Sequence, residues 1–192
     1  MSYYLYGREF EELRDIFSYC CILASYTYNH SCKECPIHDF AIEEGGQREC
    51  WESNFSEGIL KNYGEPFLDA AYQVMRDNFI HDIENYVEVQ GMEYEYKREK
   101  MGYEEQLQSF REEREMNRIY RLFEKALRPK NARIFVELAT IYYDFLKISG
   151  LPQLTTIPMS MVSLSSGEVQ RARERFWRNF SQLLNYRADE LD

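Results

Sequence analysis

The sequence predicts an all-α protein of five to six helices in an irregular bundle, with a cysteine-rich metal-binding loop near its N-terminal end. Apolar residues recur at three- and four-residue spacing through most of the 192 residues, which is the period of a helix with one buried face. Glycine and proline residues punctuate these segments, and the pattern leaves room for at most a fragment of strand.

Each predicted helix has a start or a stop signal of its own. Gly64 and Gly150 are C-cap residues, and Pro129 stops the helix before it. Pro66 suits the first turn of a helix, and Asn131 is a candidate N-cap. The predicted helices span residues 8–28, 49–63, 65–89, 104–127 and 132–148, and a last one is opened by Ser165.

The whole chain, 1–192, is predicted to form a single helical domain. Residues 29–64 are expected to be a metal-clipped sub-region. Residues 90–104, a polar stretch containing Gly91 and Gly102, are expected to be a flexible connection. No run of about 18 apolar residues exists and the first ten residues contain no apolar signal segment, so we expect a cytoplasmic protein that does not enter a membrane. Disulfides are rare in that compartment, and the five cysteines therefore need another explanation.

The cysteine pattern predicts a structural zinc site. A two-residue gap lets two thiolates turn onto one cation, and a third cysteine follows fifteen residues later. The predicted ligands are Cys32, Cys35, Cys50 and Cys21, with Cys20 and His30 as alternates for the fourth position. Unrelated thiols and an iron–sulfur cluster are the alternative interpretations.

The charge is distributed unevenly. The net charge is −10, but residues 1–100 hold 20 acidic and 9 basic residues, whereas residues 101–192 hold 13 acidic and 14 basic ones. Six cations follow helical spacing along one side of the helix predicted at 104–127: Arg111, Arg114, Arg118, Arg121, Lys125 and Arg128. Neighbouring like charges destabilise a helix, so this arginine stripe favours a binding surface for phosphates or carboxylates. The alternative is a solvated face balanced by its acidic flanks.

A second surface is predicted in the acidic half. Glu93, Glu95 and Glu99 belong to a loose anionic strip with tyrosines interleaved. Such a strip could occupy the cationic groove of a nucleic-acid-binding protein, or it could be an exposed polar connection.

Motifs for catalysis are missing. The chain has no phosphate-binding glycine loop, no nucleophile elbow and no His-Glu-x-x-His, and only three histidines. The sequence therefore favours a binding protein over an enzyme. A metal-dependent enzyme of unknown reaction stays an alternative.

The segment His30-Ser-Cys32-Lys-Glu-Cys35-Pro36, followed by Cys50-Trp51, resembles the small Cys-x-x-Cys-Pro metal clips of bacteriophage and mobile-element proteins. The short, acidic, tyrosine-rich helical chain is similar in style to phage inhibitors of host defence such as anti-CRISPR proteins. That resemblance implies a partner that handles nucleic acid, such as a CRISPR effector nuclease in the host cytoplasm, bound with or without its nucleic acid. A small regulator that binds nucleic acid directly through the arginine stripe is the alternative.

Overall fold

The computed structural model describes residues 2–38, 57–150, 154 and 166–192. Within these residues the chain forms six α-helices and one two-stranded hairpin, so the predicted all-α class is confirmed. The strands are β1 (Tyr3–Leu5) and β2 (Arg8–Phe10), and the helices are α1 (Leu13–Thr27), α2 (Glu57–Tyr63), α3 (Glu65–Arg98), α4 (Tyr103–Ala126), α5 (Ala132–Ser149) and α6 (Ser166–Tyr186). None of the described helices combines the length and the hydropathy needed to cross a lipid bilayer.

The chain divides into two compact units, Met1–His81 (unit 1) and Asp82–Asp192 (unit 2). Helix α3 contributes residues to both. The single domain over 1–192 stays a prediction, and residues 39–56 of the expected metal-clipped sub-region lie outside the described residues.

Unit 1 begins with the hairpin. The strands are antiparallel and pair Tyr3 with Phe10 across a tight turn. Tyr6 and Gly7 form that turn with φ values of 47° and 74°, the left-handed conformation that suits the twist of a two-residue hairpin loop. Because the pairing uses Arg8–Phe10, helix α1 begins at Leu13 and not at Arg8 as predicted. The core of this unit contains Leu5, Phe10, Leu13, Ile16, Phe17, Cys20, Leu23, Phe67, Ala71, Val74, Met75 and Phe79.

Unit 2 is built on contacts among α4, α5 and α6. Aromatic side chains fill its core. Phe180 lies 5.7 Å from Phe123 and 5.5 Å from Phe176, measured between ring centroids, and Tyr142 lies 5.9 Å from Phe176. Tilted and edge-on pairs at these distances are favourable beyond the area that they bury.

The predicted connection at 90–104 is wrong for most of its length, because α3 continues to Arg98 and the break is confined to residues 99–102. A glycine such as Gly91 costs a helix about 1 kcal/mol, which local contacts can offset. Arg98 forms an ion pair with Glu113 of α4 at 2.9 Å, and its guanidinium lies 4.4 Å from the ring centre of Phe110. The Gln106 side chain also donates to the Arg98 carbonyl at 3.0 Å. These contacts hold the end of α3 against the start of α4.

Two of the predicted helix signals have a further role in the structure. Gly150 ends α5 in the left-handed conformation, as expected of a C-cap. Asn131 does precede α5, but its side chain makes no cap hydrogen bond. Its amide instead donates to the carbonyls of Lys125 and Leu191, at 2.9 and 3.3 Å. Asn131 thereby ties the end of the chain to α4.

Candidate interaction site

Helix α4 has two faces of opposite character. Met116, Ile119 and Phe123 are buried, with exposed fractions of 6% or less. Arg114 and Arg121 are exposed, and at 100° per residue they lie on the opposite side of the helix. One buried apolar face therefore fixes the outward direction of the arginines.

The outward side chains of α4 line a groove of about 620 Å³, which we call the arginine groove. It is lined by Arg111, Arg114, Glu115, Asn117, Arg118 and Arg121. The structure thus brings together four of the six predicted cations, with one carboxylate among them. The lining carries a net charge of +3 by this count.

The four arginines differ in their partners. Arg118 is held by Glu115, to which its guanidinium donates two hydrogen bonds of 2.9 and 2.6 Å. It also donates to the Asn185 side chain at 2.5 Å. The hydrogen bonds with Arg118 lower the pKa of Glu115. Within the described part of the chain, Arg111, Arg114 and Arg121 have no carboxylate within 4.0 Å, and three guanidiniums are left for a ligand.

The last two cations of the stripe do not line the groove. Lys125 forms an ion pair with the Asp192 side chain at the end of the chain. The hydrogen bond from Lys125 lowers the pKa of Asp192, with smaller contributions from the charges of Lys130 and Arg128. This carboxylate therefore offsets the cationic end of α4, and nothing in the local spacing of the sequence pointed to it.

The arginine groove continues into an exposed apolar surface that the sequence patterns did not predict. Tyr103, Leu107 and Phe110 precede the arginines on the same outward face of α4. They are 76%, 41% and 48% exposed, which is high for such large side chains. Their three- and four-residue spacing is visible in the sequence, but the predicted boundary at residue 104 separates Tyr103, in the predicted connection, from Leu107 and Phe110, in the predicted helix.

The predicted acidic strip is not a single face. In α3, Glu93 and Glu95 are two residues apart, which is a rotation of about 200° around the helix axis. Their side chains therefore point to nearly opposite sides of the helix. Lys97 forms an ion pair with Glu93 at 3.6 Å, and Glu99 lies just beyond the helix end. The side of α3 between Glu93 and Glu95 presents the exposed apolar residues Val89, Met92 and Tyr96.

The predicted zinc ligands are described in part. Cys50 and the side chain of Cys32 lie outside the described residues. Cys20 and Cys35 are buried, Cys21 is half-buried, and the Cys20 thiol donates to the Ala71 carbonyl at 3.7 Å. Burial raises the pKa of Cys20 above the ordinary value of 9.0, and the Cys35 thiol raises it further. Among the described residues, no three His, Cys, Asp or Glu side chains are grouped as a metal site requires.

Comparison with known proteins finds no family model, no curated protein and no solved structure that matches this chain.

Proposed function

We propose that this chain is a binding protein that inhibits or modulates a nucleic-acid-handling host protein, such as a CRISPR effector nuclease, by surface contact. The observation that carries the proposal is the outward face of α4. Three guanidiniums that have no carboxylate partner among the described residues follow directly on exposed Tyr103, Leu107 and Phe110. Arginine and aromatic residues are enriched at the centres of protein interfaces.

The composition of this face favours an acidic protein surface as its direct contact. Apolar anchors such as Leu107 and Phe110 gain free energy by leaving water for an apolar pocket. The class of partner rests on the resemblance of the chain to phage inhibitors, and the contact surface rests on the geometry of α4.

The proposal is tested by measuring binding to a purified CRISPR effector nuclease at increasing NaCl. We expect the double variant Arg114→Glu/Arg121→Glu to weaken binding at least tenfold, because each reversed charge removes an ion pair and adds a repulsion. Arg178→Glu, an exposed arginine of α6 outside the groove, is the matched control. An affinity that changes neither with NaCl concentration nor in the double variant would contradict the proposal.

A small nucleic-acid-binding regulator is the second candidate. It is favoured by the three guanidiniums of the arginine groove that form no ion pair in the part of the chain that the structure describes. A gel shift with random duplex and single strands separates the two. Tyr103→Ser and Leu107→Ser, at exposed residues of the same face, should weaken protein binding and leave duplex binding unchanged.

We also propose that Cys32, Cys35 and Cys50 hold a structural zinc ion, with Cys21 as the fourth ligand and Cys20 or His30 as alternates. The spacing of the pair supports this, since a closed tetrahedral shell of thiolates is typical of structural zinc. Elemental analysis of protein purified without chelator should give one equivalent of zinc. Less than half an equivalent of any metal would contradict the site, whereas iron in place of zinc would indicate a cluster.

A further inference from the structure

A second groove lies between α5 and α6 in unit 2, away from the arginine groove of α4. Its volume is about 570 Å³, which falls within the range of sites that hold small molecules. We call it the α5–α6 groove. It is lined by Ile141, Asp144, Phe145, Ile148, Ser149, Glu168, Arg171, Ala172, Arg175, Phe176 and Asn179. Ser149 and Ala172 are small, which leaves room between the two helices.

The wall that α5 contributes to this groove is mainly apolar, although it also includes Asp144. Ile141, Phe145 and Ile148 follow one another at four- and three-residue spacing along α5, so they share a side of that helix. Phe145 and Phe176 are buried and belong to the floor, whereas Ile148 is 81% exposed. A large apolar side chain so exposed at the rim would gain from contact with an apolar ligand.

The other wall presents hydrogen-bond donors. Arg171, Arg175 and Asn179 are four residues apart along α6, which spaces them by about 6 Å along the helix axis. Within the described part of the chain, none of the three side chains has a hydrogen bond or an ion pair. The Ser149 hydroxyl does not donate to the groove, because it donates its hydrogen bond to the Phe145 carbonyl at 2.5 Å.

Two carboxylates also line the groove and restrict what it can hold. Asp144 and Glu168 are exposed, and each adds one negative charge to the lining beside Arg171 and Arg175. The two arginines and the two carboxylates of the lining give it a net charge of zero. A polyphosphate would be repelled by the carboxylates, whereas a single anionic group can bind at the guanidiniums.

We propose that the α5–α6 groove binds a small amphipathic anion, a molecule with one carboxylate or phosphate head group on an apolar body. The head group accepts hydrogen bonds from Arg171 and Arg175, and the body lies along Ile141, Phe145 and Ile148. This is a small-molecule site, and it does not depend on the partner proposed for α4.

Calorimetric titration of the full-length chain with decanoate, decyl phosphate and decanol tests this site. We expect saturable 1:1 binding of an anionic probe and at least tenfold weaker binding of decanol. The better of the two anions identifies the head group. Arg171→Gln and Arg175→Gln should each weaken binding about tenfold, since a charge-assisted hydrogen bond is lost. Arg178→Gln, on the same helix outside the groove, should change affinity less than twofold.

A steric variant and a direct map of the site complete the test. Ala172→Trp fills the groove and should abolish binding, with circular dichroism to verify that the variant is folded. In the unmodified chain, decanoate should shift the methyl resonances of Ile141 and Ile148 in NMR spectra. Equal binding of decanol and decanoate, or methyl shifts confined to other residues, would overturn the proposal.

Discussion

Asp82 is a buried carboxylate, 1% exposed, that holds two donors of unit 2. The Tyr142 hydroxyl donates to it at 2.8 Å and the Leu154 backbone N–H at 2.6 Å. Asparagine has the same size but lacks the charge and replaces one acceptor oxygen with an NH₂ group. Both hydrogen bonds go to the same oxygen, Oδ2, so an asparagine oxygen in that place can accept them only as neutral hydrogen bonds. We expect Asp82→Asn to lower the free energy of unfolding by about 1–3 kcal/mol in urea denaturation, because both hydrogen bonds lose their charge assistance.

The matched control for Asp82 is Glu88→Gln, an exposed carboxylate of the same helix. It should change the free energy of unfolding by less than about 0.5 kcal/mol. If Asp82→Asn is as stable as the parent chain, the two hydrogen bonds do not stabilise unit 2.

One buried tyrosine, Tyr6, and two half-buried ones, Tyr19 and Tyr86, predict a loss of stability at alkaline pH. Burial raises the pKa of Tyr6, Tyr19 and Tyr86 to about 12, from an ordinary value of 10.0. The folded chain thus favours the neutral hydroxyl. Its contribution to stability is complete below pH 10 and is lost as the pH rises toward 12. We expect the free energy of unfolding, measured in urea, to fall between pH 10 and 12.

The control for the alkaline transition is Tyr6→Phe, which keeps the ring and cannot ionise. Its free energy of unfolding should fall less between pH 10 and 12 than that of the parent chain. A profile that is flat over this range in the parent chain would contradict the role of these tyrosines.

At the scale of one element, α4 carries more positive charge than its stability requires. Arg114 has Arg111 three residues before it and Arg118 four residues after it. Arg114→Glu replaces two repulsions with two attractions. We therefore expect the free energy of unfolding to rise by a few tenths of a kcal/mol, up to about 1 kcal/mol, in urea denaturation.

Arg114→Gln is the comparison for this variant, since it removes the repulsion and adds no attraction. Its gain should be about half that of Arg114→Glu. A loss of more than about 0.5 kcal/mol in either variant would mean that the guanidinium stabilises the fold. The arginines of the groove would then be explained without a ligand.

The elements also differ in how well they could be predicted. The sequence predicts helix α4 to within one residue at each end, because its apolar spacing is regular and Pro129 follows it. The sequence does not predict the extension of α3 to Arg98. The contacts of Arg98 with Glu113 and Phe110 join residues that are 12 to 15 positions apart, so they leave no local pattern. Propensity in a polar segment is a weak signal, and such tertiary contacts override it.

At the scale of the whole molecule, the negative charge belongs mainly to one unit. Unit 1 contains 14 acidic and 6 basic residues, a net charge of −8, whereas unit 2 contains 19 and 17, a net charge of −2. Self-repulsion of this size opposes the compact state, and salt screens it. We expect the urea midpoint to rise as NaCl increases from about 0.02 to 0.3 M.

Sucrose, which carries no charge, serves as the control for the salt series. It raises the midpoint through exclusion from the protein surface, so its effect should be the same at both NaCl concentrations. A midpoint that falls as NaCl is added would mean that the surface ion pairs outweigh the repulsion.

The sequence by itself determined the helical class, the position of α4 and the common direction of its arginines. These properties depend on the 100° turn between neighbouring residues, which is local and regular. The tertiary structure decided which cations are left for a ligand. Asp192 lies 67 residues beyond Lys125 in the sequence and forms an ion pair with it. Arg114 and Arg121 form no ion pair with a carboxylate among the described residues. Ion pairs depend on distances in space, and only the fold determines these across so many residues.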